Sequence, residues 1–132
     1  MLSKEYLDKH FSLNPPATLN QVKLVQSTVE MIFPSEYVDF LLLCNGVSSS
    51  GCLALHEIEV LPERNEVYEV EKYLPNYFMI GDDGGGQAIL ISGEGRIFEV
   101  GMGVMSINCL KISAKSIEDL LVRKLGLTLG ER

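Results

Sequence analysis

Basic residues are scarce in this chain, cysteines are few and unpaired in their spacing, and no apolar run is long. Eleven Lys and Arg stand against eighteen Asp and Glu, a net charge of −7. A surface this acidic repels a phosphate backbone, which argues against nucleic acid as a partner. It attracts a basic protein and speeds the encounter, although the same sign would serve solubility alone. The cysteines are Cys44, Cys52 and Cys109, an odd count, and they read as free thiols in a reducing compartment. The opening "MLSKEYLDKHFSL" has no apolar core of the kind a secretory signal carries. Nor does any stretch approach the ~18 apolar residues of a membrane span. The expected location is the cytoplasm. With 132 residues, 46% hydrophobic and 22% charged, the composition is that of one globular domain. A chain of this size buries roughly two thirds of its unfolded surface and needs no disulfide or metal to fold.

The first third of the chain carries helical signals. Residues 3–11 predict a short helix with Leu7 and Phe11 on one face, stopped by "NPP" at 14–16. "TLNQ" at 18–21 fits a capping box, in which Thr18 and Gln21 satisfy each other's amides. Leu19, Val22, Val25, Val29 and Ile32 follow at spacings of three and four, with Lys23, Gln26 and Glu30 off the stripe. That predicts a helix running to "FP" at 33–34. Pro34 suits the first turn of another, "SEYVDFLLLC", with Glu36 and Asp39 near its positive end. Its far end is apolar nearly all round and predicts deep burial. Asn45 and Gly46 both tolerate positive φ and predict the stop.

Strand signals follow. "CLALHEIEVL" at 52–61 alternates and predicts a strand; "ERNEVYEVEKYL" at 63–74 reads as a loop with a helical turn. "YFMI" is apolar on both faces and predicts a central strand, with "QAILIS" and "RIFEV" as its sequential antiparallel neighbours. "SGEG" at 92–95 is a hairpin turn by composition, and "INCLKI" a further strand. "SIEDLLVRKLG" predicts a terminal helix capped by Ser116, with Ile117, Leu120, Leu121 and Leu125 on its apolar face and Gly126 ending it. Short connections between strands predict antiparallel pairing and an α+β fold: one twisted, mostly antiparallel sheet with helices packed on it.

The "GDDGGG" loop at 81–86 is the one stretch that invites a catalytic or ligand reading. A phosphate loop points amides from a helix N-terminus, but a strand follows here, without the lysine of a P-loop or the GxGxxG spacing. Calcium loops alternate their oxygen ligands, and Asp82 and Asp83 are adjacent. Adjacent strand residues also point to opposite faces, which separates two carboxylates that acid–base catalysis would need to converge. Cys52 and His56 form a lone C-x3-H with no second ligand pair for zinc. GxSxG and HExxH are both missing. The expectation is no enzyme, no metal and no cofactor. Gly81, Gly84, Gly85 and Gly86 then serve backbone geometry: a strand ends, turns with positive φ, and its neighbour begins.

The order of these features, a Pro-initiated helix ending in "NG" (34–46), "YFMIGDDGGG", "AILIS", "RIFEV" and a terminal "AKSIEDLLVRKL", resembles the SUKH superfamily over about 18–126. That superfamily includes fungal Smi/Knr regulators of cell-wall synthesis and many bacterial immunity proteins. The resemblance implies one non-catalytic domain over 1–132, monomeric or weakly dimeric. It implies a bacterial antitoxin that binds and neutralises a basic toxin domain, often a nuclease; the alternative is a regulatory adaptor of the same fold with no toxin partner. Pro34, Asn45, Gly46, Gly81, Asp82 and Gly86 match recurrent family positions and imply fold-determining roles. The chain departs from the pattern at Val47, where a second glycine is common, and has no tryptophan. For the partner, Glu57, Glu59, Glu63, Glu66, Asp82, Asp83 and Glu94 are the candidate acidic face. They lie in strands and loops between 57 and 94, with only Arg64 and Lys72 as intervening cations.

Overall fold

The computed structural model of the protein describes residues 2–132. Ser3 caps α1 (Lys4–His10) by accepting from the Tyr6 amide at 3.1 Å. The chain turns extended at Phe11, so α1 stops before the prolines, and β1 (Ser12–Leu13) follows, a strand the sequence did not announce. The expected capping box opens α2 (Leu19–Gln26): Gln21 N donates to Thr18 Oγ1 at 3.1 Å and Thr18 N to Gln21 Oε1 at 2.7 Å. This helix ends at Gln26, earlier than the apolar spacing suggests. Val22 and Val25 are buried, while Leu19 is half-exposed and Ile32 is 75% exposed. The reason is a competing hydrogen-bond set. The Gln26 side chain donates to the Met31 carbonyl at 2.7 Å and accepts from the Phe33 amide at 2.7 Å, folding 27–33 back as a loop.

Pro34 sits one position outside α3 (Ser35–Leu43), as its N-cap. The helix closes at Cys44 in an extended conformation, and Gly46 alone of the "NG" pair takes positive φ, +103°. Asn45 acts instead through its side chain, described below. Two short strands follow, β2 (Val47–Ser48) and β3 (Ala54–Leu55). The alternation at 52–61 therefore yields a two-residue strand and a 3₁₀ turn, Ile58–Val60, rather than one long strand. The ambiguous 63–74 segment is mostly helical, in α4 (Leu61–Val67) and α5 (Val70–Tyr73).

The three central strands are β4 (Tyr77–Asp82), β5 (Gln87–Ser92) and β6 (Ile97–Gly101). They pair antiparallel in sequence, Phe78 against Ile91 and Leu90 against Phe98. "INCLKI" splits into a 3₁₀ turn, Ile107–Cys109, and β7 (Lys111–Ala114) on the edge of the sheet. All seven strands lie in chain order in one antiparallel sheet, so the fold is α+β. Period-2 alternation sends Phe78, Ile80, Ile89 and Ile91 into a main core with α1–α3 and the terminal helix. Met79, Ala88, Leu90 and Val100 face a smaller core under Val70 and Leu74. That two-sided cover explains why "YFMI" and "QAILIS" carry almost no polar residue.

The body of the terminal helix, Asp119–Arg123, is wound as a π-helix, with Lys124 N donating to Asp119 O at 2.8 Å. The helix closes at Lys124, and Leu125 beyond it takes a left-handed φ of +58°, which turns it off the apolar face to 65% exposure. Gly126 continues this turn at φ +68°, two residues past the helix end, with its amide on the Leu120 carbonyl at 2.8 Å. No helix among the described residues is long and apolar enough to cross a membrane.

Candidate protein-binding site

Asp82 and Asp83 diverge at the start of the β4–β5 turn. Asp82 Oδ2 lies 2.7 Å from His56 Nε2 and 3.4 Å from Arg64 Nη1, and its Oδ1 accepts from the Gly84 amide at 3.0 Å. Its charge thus ties β4 to α4 and to the residue after β3. Asp83 turns into its own loop and accepts from the Gly85 and Gln87 amides at 2.8 and 3.0 Å. Gly84 and Gly86 take positive φ, +72° and +95°, in open space. Gly85 does not, so the conformational need for glycine falls on its two neighbours. Three of the amides here, those of Gly84, Gly85 and Gln87, go to the loop's own two aspartates. Among the described residues no group of three or more His, Cys, Asp or Glu is gathered as a metal site.

Of the other candidate carboxylates, Glu59 is also committed. Asn45 donates to it at 2.6 Å, accepts from the Ile58 amide at 2.9 Å through Oδ1, and is itself buried. Asn45 so pins the end of α3 to the 3₁₀ turn before α4. Glu57, Glu63 and Glu66 are exposed in one segment, from the residue before the 3₁₀ turn into α4. Glu94 is in the β5–β6 turn, at the other end of β5 from Asp83. The six residues of β5, five rises of ~3.3 Å each, put it more than about 15 Å away. The seven carboxylates therefore divide into three that hold the fold, three exposed together, and one remote.

A cleft of about 420 Å³ opens beside this segment, between the 28–31 loop, α4, α5 and the start of β4. Met31, Tyr77 and Phe78 line it, with Glu30, Glu66, Glu69 and Glu71 around them. Among the described residues Lys72 is the only cation there, and it is engaged, 3.4 Å from Glu69 and 5.1 Å from the Tyr73 ring centre. Sequence reasoning singled out only Glu66 of these as a binding residue. The glutamate-dense "ERNEVYEVEK" becomes informative once read as two short helices joined through Glu69 at φ +52°, because that turn gathers Glu66, Glu69 and Glu71 around one cleft.

These features define a class: a small α+β meander domain whose charged clusters join backbone to backbone and whose free carboxylates lie on helices and loops outside the sheet. The chain belongs to the SMI1 / KNR4 family (SUKH-1), whose family model matches residues 16–123. A search of curated proteins found no match.

Proposed function

We propose that this protein is a non-catalytic protein-binding domain, a bacterial immunity protein that acts in the cytoplasm by binding and neutralising a basic toxin domain, such as a nuclease. Family membership supports the protein-binding part. The observation that carries the choice of a basic partner is the excess of carboxylate, −7 overall, with Glu57, Glu63 and Glu66 exposed along one segment. Complementary charge of this kind raises association rates and selects partners. The test is affinity capture from the native cells, followed by expression of the captured protein alone and together with this chain. A basic protein that arrests growth alone and is harmless in the pair supports the reading. A captured partner that is harmless alone contradicts it and makes the domain a regulatory adaptor.

A further inference from the structure

We infer that the cleft between the 28–31 loop and α4–α5 is the docking groove for a partner segment in which a lysine or arginine is flanked by apolar side chains. The inference rests on the protein-binding reading above and names its site. The floor is apolar, through Met31, Tyr77 and Phe78, and this suits the aliphatic stem of a long cationic side chain and its apolar neighbours. The rim suits the charged head. Glu30, Glu66 and Glu71 are exposed, and among the described residues their carboxylates have neither an ion-pair nor a hydrogen-bond partner. Lys72, which would oppose a cation, is held by Glu69.

Both walls are fixed before any partner arrives. The Gln26 amide clamps the 29–33 loop through the Met31 carbonyl and Phe33 amide. Asn65 clamps α4 to β4: its Oδ1 accepts from the Met79 amide at 2.8 Å and its Nδ2 donates to the Met79 carbonyl at 2.9 Å. A groove with walls set in advance loses little entropy on binding. Its volume holds one or two side chains, which fits an anchoring residue of a larger surface.

The groove is tested by amide NMR titration with acetyl-Lys-Leu-Arg-Leu-Lys-amide, the same peptide with glycine for leucine, and spermidine. The expected result is saturable shifts at residues 29–31, 66–72 and 77–78 with the leucine peptide. Affinity should fall about tenfold in Glu30→Gln/Glu66→Gln/Glu71→Gln, since each exposed charge contributes a factor of a few. The glycine peptide should bind more weakly and spermidine should give no saturable shift. Shifts elsewhere, no saturation at millimolar leucine peptide, equal binding of spermidine, or an unchanged affinity in a folded triple variant overturns the groove. The captured partner separates this failure from that of the functional reading. A toxin that the domain still neutralises, and that binds the triple variant as tightly as the parent, removes the groove and leaves the function standing.

Discussion

Cys44 lies fully buried in the main core, whereas Cys52 and Cys109 are exposed. Burial pushes the Cys44 thiol up to about 11, against the opposing pull of the Lys4 charge. Thiolate is the reactive form, so Cys44 is inert at neutral pH. With an aromatic disulfide reagent, two thiols of the native protein should react promptly and the third only on unfolding. Three prompt thiols would mean that the core around Cys44 opens freely. At this scale the sequence was legible where partners are near neighbours. Thr18 and Gln21 are three residues apart, and their reciprocal capping follows from spacing alone. Asn45, Gln26 and Asn65 were not legible as clamps. Asn45 and Asn65 bond backbone groups 13 and 14 residues away, brought near only by tertiary packing. Gln26 looked like a solvent-facing helix position and is a half-buried bolt.

Strand β4 shows why a glycine can matter more for space than for φ. A Cβ at Gly81 would strike the Ala54 carbonyl of the paired strand β3. At Gly86 a Cβ meets nothing, and only the positive φ opposes it. Gly81→Ala should therefore cost about 2 kcal/mol or more, by forcing backbone apart, against about 1 kcal/mol for Gly86→Ala. Thermal melts of the two variants check the order, and the reverse order would contradict it. The terminal helix supplies a pH-dependent counterpart. Ser116 Oγ accepts from the Asp119 amide at 3.0 Å, and Asp119 accepts from the Lys115 amide at 2.9 Å. That second bond, helped by the charges of Lys124, Arg123 and Lys115, holds the Asp119 carboxyl below its ordinary value. A depressed folded pKa gives stability that is fully present above the unfolded value of about 3.9 and is lost as pH falls through the folded one. Asp119→Asn keeps an acceptor oxygen but removes the charge, so it should melt earlier near neutral pH. The gap should narrow as the pH is lowered past the aspartate range. A gap constant down to acid would assign the loss to packing instead. The central strands were legible because both faces are apolar. The 52–61 alternation misled because Asn45 takes the Ile58 amide that a longer strand would give its neighbour.

For the whole molecule, the charge balance is the property that a sequence gives without ambiguity and a fold then distributes. Here the fold withdraws Asp82, Asp83 and Glu59 into structural bonds and leaves Glu57, Glu63 and Glu66 outside, beside a cleft rimmed by Glu30 and Glu71. That division was not readable from composition, because a carboxylate's commitment depends on which amide or cation the topology brings to it. It sharpens the central test. Reversing Asp82 or Asp83 would damage the turn that holds β4 and β5, whereas reversing the exposed set should spare the fold. The most direct measurement is the association rate with the captured basic partner, at low salt and at ~0.15 M, where screening acts beyond about 8 Å. The parent should associate faster at low salt. Glu57→Lys/Glu63→Lys/Glu66→Lys, with an unchanged melting temperature, should associate about tenfold more slowly and with a weaker dependence on salt. An unchanged on-rate in that folded variant would contradict recognition through the acidic surface.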